Sequence, residues 1–160
     1  MIRVCMVCLG NICRSPTAEA VLKSLVAAEN LGHEIEVDSA GTGAYHVGEP
    51  PDRRSAAAAE RRGVRLTGRA RQFERSDWGD FDYVLAVDES TRDTLRRGCP
   101  PGSEGKLYML RSFDRASPPN ANVPDPYHGG EQGFEQVLDL CEAACRGLLD
   151  EIKRSHIERR

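Results

Sequence analysis

Residues 4–16 read Val4-Cys5-Met6-Val7-Cys8-Leu9-Gly10-Asn11-Ile12-Cys13-Arg14-Ser15-Pro16. The apolar run at 4–7 has the character of a buried strand, and Pro16 falls in the opening turn of a helix, where its fixed φ is tolerated. Between them lies a short loop that can turn its backbone N–H groups inward, as nests and helix N-termini do when they hold an anion. Arg14 adds a planar fork able to grip two phosphate oxygens at once, which a lysine cannot do. The strand delivers Cys8 to the carboxyl edge of a sheet, at the base of this cradle. A strand, a phosphate loop and a helix in that order predict an α/β fold.

A cysteine thiol is a weak nucleophile until it ionises, ordinarily near pH ~8.5. Inward N–H groups, the positive end of a helix and Arg14 all favour the thiolate of Cys8. No histidine is needed as a base, and His33, His46, His128 and His156 all lie outside the loop. Gly10 is expected to allow a tight turn. Asn11 tolerates a left-handed backbone, and its amide can pin neighbouring groups. Ser15 is placed to hydrogen-bond the sulfur and make it a better leaving group. The phosphate-binding set is therefore Leu9, Gly10, Asn11, Ile12, Cys13, Arg14 and Ser15.

The remaining periodicity alternates strands with helices. Strand-like runs occur at 2–9, 35–40, 83–87 and 106–110. Ala18, Val21, Leu22 and Leu25 share one helical face, and Phe134, Val137, Leu138, Cys141, Cys145, Leu148, Leu149 and Ile152 form a longer stripe. Residues 51–62 predict a helix that starts near Pro51 and stops at Gly63, and Asp88 a helix N-cap before Glu89. The expectation is a four-stranded parallel sheet with helices on both faces, one domain over residues 1–160, and a fraying tail over 154–160.

The segment from Val7 to Pro16 resembles the signature of the low-molecular-weight protein tyrosine phosphatases. Further resemblance lies in Asp38-Ser39-Ala40-Gly41-Thr42, Tyr45-His46-Val47-Gly48, Ala70-Arg71-Gln72, Phe81-Asp82-Tyr83-Val84-Leu85, Asp88-Glu89-Ser90 and Asp125-Pro126-Tyr127. Residues 118–130 are the most turn-rich stretch of the chain and must form an irregular loop. On composition alone Asp125 is an ordinary turn aspartate, stiffened by Pro124 and Pro126. The resemblance makes it the general acid that protonates the leaving phenolate and then deprotonates water.

The resemblance implies a metal-independent, cofactor-free phosphotyrosine phosphatase. Cys8 attacks phosphorus, Arg14 and the loop amides hold the equatorial oxygens, and a phosphocysteine forms and is hydrolysed. Such a pair should work best at mildly acidic pH, with Cys8 ionised and Asp125 protonated. Tyr45 and Tyr127 are candidate aromatic walls for the substrate ring, with a surface or hinge role as the alternative. Ser39 is by itself a strand-end serine; the family's serine there braces the loop through Asn11. Cys13 is the candidate redox partner of Cys8, as in relatives with both cysteines. Many members carry a histidine where this chain has Gly68, bracing the loop with an aspartate matching Asp88. Its loss here leaves Asp88 a helix cap.

Net charge is −3, with 22 basic and 25 acidic residues interspersed, which gives no support for nucleic acid or membrane binding. Nothing resembles a signal peptide, a charge appears by Arg3 and no apolar run could span a bilayer, so the expectation is a cytoplasmic protein, by default a monomer. A phosphotyrosine protein is the expected substrate, and a cognate tyrosine kinase a candidate further partner. Cys5 and Cys8 share a strand at i and i+3 and so face opposite ways, and Cys141 and Cys145 are core residues on one helix face. No cysteine spacing offers a zinc site. Two alternatives stand beside the phosphatase. A thiol-dependent arsenate reductase on the same scaffold would need further relay cysteines, and Cys99 stands alone. A catalytically idle phosphotyrosine-binding protein would be expected to lack Cys8 or Asp125.

Overall fold

A computed structural model describes residues 1–127 and 129–158. Four parallel strands form one sheet: β1 (Ile2–Cys8), β2 (Ile35–Gly41), β3 (Tyr83–Ala86) and β4 (Leu107–Met109), in the spatial order β2-β1-β3-β4. The helices are α1 (Arg14–Ala28), α2 (Arg53–Glu60), α3 (Asp77–Asp80), α4 (Glu89–Arg97) and α5 (Glu131–Ile152). The chain leaves β1 in one direction to reach β2 and later crosses to its other side for β3. Cys8 therefore ends a central strand at the point where the strand order reverses, where α/β sheets open their binding crevice.

Strand alternation explains why the sheet is covered on both sides. Val4, Met6 and Cys8 face a cluster built with Val21 and Leu22 of α1 and the apolar stripe of α5. Cys5 and Val7 face a second, smaller cluster with Trp78 of α3, Leu95 of α4, and Phe81. Cys5 and Cys8 thus lie on opposite faces, as their spacing requires. All eight stripe residues of α5 are buried, Cys141 and Cys145 among them, each worth a few kcal/mol of burial at most. On α1, Leu25 is only half-buried and Val26 takes the inward place.

Several boundaries differ from the sequence expectation. Helix α2 begins at Arg53, because the Asp52 carboxylate caps it by accepting the N–H groups of Arg54 and Ser55. Strand β3 stops at Ala86, and the Val87 carbonyl instead accepts the N–H of Val123 at 2.8 Å. Leu110 leaves β4 for a 3-10 turn over Leu110–Phe113. Short helix α3 carries too little periodicity to be found from sequence. The tail also departs from expectation: Lys153–Ile157 continue α5 as a π-type turn. His156 packs edge-on against Tyr83 with its Nε2 3.0 Å from the phenol oxygen, and Lys153 pairs with Glu29. Arg159 and Arg160, included in the expected fraying, lie outside the described residues, as does His128.

Candidate active site

The loop from β1 to α1 is shaped around one sulfur atom. Cys8 is 3% exposed, its Sγ accepts the Asn11 N–H at 3.2 Å and lies 3.0 Å from Ser15 Oγ. Asn11 adopts φ 59°, the left-handed geometry its short amide side chain tolerates. Its Nδ2 donates to Ser15 Oγ at 2.8 Å and to Ser39 Oγ at 3.0 Å, while its Oδ1 accepts the Arg71 N–H at 3.0 Å. The Ser39 hydroxyl donates in turn to Glu19 Oε1 at 2.5 Å. Asn11 thus contacts Ser39, and Glu19 and Arg71 extend this network across α1, β2 and the segment after Gly68.

Gly10 has no positive φ, so a tight turn is not the reason for glycine there. A Cβ at position 10 would stand 3.0 Å from His46 Cδ2, which makes close approach of the imidazole the reason. Helix α1 begins with Cys13 as its N-cap, has no side-chain cap and no acidic residue in its first turn. Its positive end is left to an anion in the cradle.

Arg14 is 4% exposed and lines the cleft. Its Nη1 donates to Asp88 Oδ2 at 2.6 Å and to the Val123 carbonyl at 3.1 Å, and its Nη2 lies 3.6 Å from Asp125 Oδ2. Burial opposes the charge on Arg14, but the Cys8 sulfur and Asp88 outweigh it and its pKa stands above the ordinary value. Burial likewise opposes the Asp88 carboxylate, and its hydrogen bonds from Thr91 together with Arg14 hold its pKa below the usual range. Asp88 is therefore more than the N-cap of α4: it fixes Arg14. The expectation of a purely structural cap is corrected, because the arginine's own charge selects a carboxylate there. Gly68 sits exposed and lines a hollow with Glu19, Asn11 and Ser39, of which Asp88 is not part.

One cleft of about 150 Å³ is lined by Cys8, Leu9, Gly10, Ile12, Cys13, Arg14, Tyr45, His46, Asp125 and Tyr127. It brings both catalytic candidates, Arg14 and both tyrosines together. Tyr45 is 76% exposed and stands at the rim, whereas Tyr127 is 37% exposed and closer in. Asp125 is half-exposed, and its Oδ1 accepts the Tyr127 N–H at 3.1 Å. Cys13 is buried and its thiol is pushed up to about 12, chiefly by that burial. Sequence reasoning missed His46 and Arg54. His46 lies 6.0 Å from the Tyr127 ring, with Nδ1 2.9 Å from Glu49 Oε2. Arg54 covers the Tyr127 ring from outside, with its guanidinium carbon 5.6 Å from the centroid. The only local signal was the Asp52 cap two residues before Arg54.

A cleft with a buried sulfur, a caged arginine and a facing carboxylate can hold a phosphate and displace it from oxygen. The family model for Low molecular weight phosphotyrosine protein phosphatase matches residues 3–158. The chain belongs to this family. It is 46% identical over 153 residues to a low molecular weight protein-tyrosine-phosphatase of Streptomyces coelicolor, covering 94% of this chain and 93% of that one. It is 40% identical over 149 residues to the human low molecular weight phosphotyrosine protein phosphatase, covering 92% and 93%. Among solved structures, a protein tyrosine phosphatase from Entamoeba histolytica superposes with a TM-score of 0.93 at 37% identity, covering 96% of this chain and 98% of that one. The family assignment makes the chain an enzyme of the hydrolase class.

Proposed function

We propose that this phosphatase removes phosphate from phosphotyrosine in proteins, and from small aryl phosphates, through a phosphocysteine and without a metal ion. One observation carries the reading: Cys8 lies at the floor of a cleft that Arg14 and Asp125 also line, its sulfur held by Asn11 and Ser15. In the first step the Cys8 thiolate attacks phosphorus in line. The S–P bond forms as the P–O bond breaks, and Asp125 gives its proton to the departing tyrosyl oxygen. Arg14 and the amides of residues 9–14 hold the equatorial oxygens, where charge spreads in the transition state. In the second step Asp125 takes a proton from water, the water oxygen attacks phosphorus, and the S–P electron pair returns to Cys8. Ser15 steadies that leaving thiolate.

Tyr45 and Tyr127 present aromatic faces to the substrate ring, and the depth of Cys8 favours the long phosphotyrosine side chain over phosphoserine. Residues 1–160 act as one catalytic domain, a cytoplasmic monomer whose substrates come from a tyrosine kinase. No helix among the described residues is long and apolar enough to cross a membrane. Arsenate reduction is the weaker reading because it needs a thiol relay. Cys99 packs against the cluster on the other side of the sheet, and Cys141 is fully buried with its thiol pushed to about 12, chiefly by that burial.

The test is hydrolysis of p-nitrophenyl phosphate with EDTA present, comparing wild type, Cys8→Ser and Asp125→Asn. The expected result is full wild-type activity, none in Cys8→Ser and a strong reduction in Asp125→Asn. An inactive wild type that is folded and reduced overturns the reading.

A further inference from the structure

The loop that carries Asp125 is fastened to the loop that carries Cys8 through a residue outside the cleft. Asp125 Oδ1 accepts the Tyr127 N–H, so the direction of the carboxyl follows the Tyr127 backbone. The carbonyl of the same tyrosine accepts Arg54 Nη2 at 2.7 Å. The Arg54 guanidinium is wedged between two rings, 5.6 Å from the centroid of Tyr127 and 4.7 Å from that of Phe134 at the start of α5. Its Nε and Nη2 reach the two carboxylate oxygens of Asp52 at 3.3 and 3.2 Å. Asp52 caps α2 and also donates its backbone N–H to the carbonyl of Ile12, inside the phosphate loop, at 2.8 Å. A chain of contacts thus runs from Ile12 through Asp52, Arg54 and Tyr127 to Asp125.

We propose that Arg54 is a positioning residue for the leaving-group proton: with Asp52 it sets the distance between the phosphate loop and the Asp125 loop. The inference rests on the acid role proposed for Asp125. Residues 118–127 lie outside α-helix and strand; Val123 is tied to Val87 and Arg14, and beyond it the half-exposed carboxyl of Asp125 needs a further anchor to stay aimed at the departing oxygen. The guanidinium suits the task because its planar fork meets a carboxylate and a carbonyl while its faces meet two rings. A lysine could keep the charge but not the stacking.

A leaving group that is already a good anion needs little protonation, and a poor one needs much. The experiment therefore measures kcat/KM, which reports the first chemical step, across aryl phosphates from nitrophenyl to phenyl. Wild type, Arg54→Ala, Arg54→Lys, Asp125→Asn and the double variant Arg54→Ala/Asp125→Asn are compared, with thermal melting recorded for each. Arg54→Ala is expected to lose about twofold on p-nitrophenyl phosphate and about tenfold or more on phenyl phosphate, part of the full general-acid effect. Arg54→Lys should fall between it and wild type. In the Asp125→Asn background, removing Arg54 should cost little more. An equal loss on every substrate, no loss at all, or full additivity in the double variant overturns the proposal, and Arg54→Lys decides the matter if Arg54→Ala does not fold. If Asp125→Asn itself shows no leaving-group dependence, the acid role fails and this inference falls with it. If Asp125→Asn shows it and the Arg54 variants do not, this inference alone fails.

Discussion

Arg14 Nη1 meets Asp88 Oδ2 at 2.6 Å, a contact between a buried residue of the phosphate loop and the cap of α4, 74 positions away. The pair fixes the guanidinium in the lining of the cleft and neutralises a charge that burial alone would make costly. It joins the start of α1, which follows β1, to the start of α4, which follows β3.

Asp88→Asn should therefore impair both catalysis and folding. With its partner neutral, Arg14 loses its fixed direction, and kcat/KM on p-nitrophenyl phosphate is expected to fall on the order of 10- to 100-fold. Stability should drop by roughly 2–3 kcal/mol, below the roughly 3–5 of a fully buried pair, since Asp88 keeps some access to water. The sign of the pH effect follows from the lowered pKa of Asp88. Its contribution is complete above the unfolded carboxyl value of about 3.9 and disappears as pH falls through the lower folded value. Urea titrations should show the wild-type advantage at pH 6 shrinking progressively below about pH 4.

Gly41→Ala and Gly10→Ala should differ sharply. A Cβ at position 41 would stand 2.7 Å from the Leu9 carbonyl oxygen and 3.2 Å from the Asn11 nitrogen, both backbone of the phosphate loop. The loop must move, and activity should fall on the order of 100-fold with weaker inhibition by inorganic phosphate. At position 10 the obstacle is the edge of the His46 side chain, which can swing aside, so a loss of only a few-fold is expected. Equal losses would show that the two glycines do the same work.

Ser15→Ala removes the hydroxyl 3.0 Å from the Cys8 sulfur and one acceptor of the Asn11 amide. The leaving thiolate of the second step should suffer most. Rapid mixing with p-nitrophenyl phosphate should show a burst of nitrophenol approaching one per enzyme, followed by a steady rate about tenfold below wild type. A slowed burst with an unchanged ratio of phases would place the hydroxyl in the first step instead.

We propose that Cys13 resolves oxidised Cys8, slowly at neutral pH because its thiol is pushed up to about 12 chiefly by burial. Brief peroxide treatment should inactivate the enzyme, and dithiothreitol should restore it. Recovery should be poorer in Cys13→Ala. Disulfide formation after oxidation should speed up as pH rises from 7 to 9, because the thiolate fraction of Cys13 grows about tenfold per unit. Inactivation that dithiothreitol never reverses would remove the redox role.

The phosphate loop was legible because its chemistry is local. A strand, a left-handed asparagine, an arginine and a serine lie within eight positions, and their spacing survives whatever the rest of the chain does. The long stripe of α5 was legible for the same reason, since helical periodicity alone carries Phe134 through Ile152 to one face. The ends of elements were not. Asp52 moves the start of α2, Val123 ends β3, and His156 holds a tail that its charge would otherwise leave loose.

The sequence by itself determined the candidate nucleophile and its candidate cradle, the alternation of strand and helix, and the family. Only the tertiary structure decided how the second loop is held. Asp88 against Arg14, Arg54 against Tyr127 and Arg71 against Asn11 join positions at least 60 residues apart. None has a periodicity or a spacing that marks it, because each pair becomes adjacent only when the sheet closes and the loops at its carboxyl edge converge. A charged side chain reveals its partner only once burial removes the water that would otherwise serve as one.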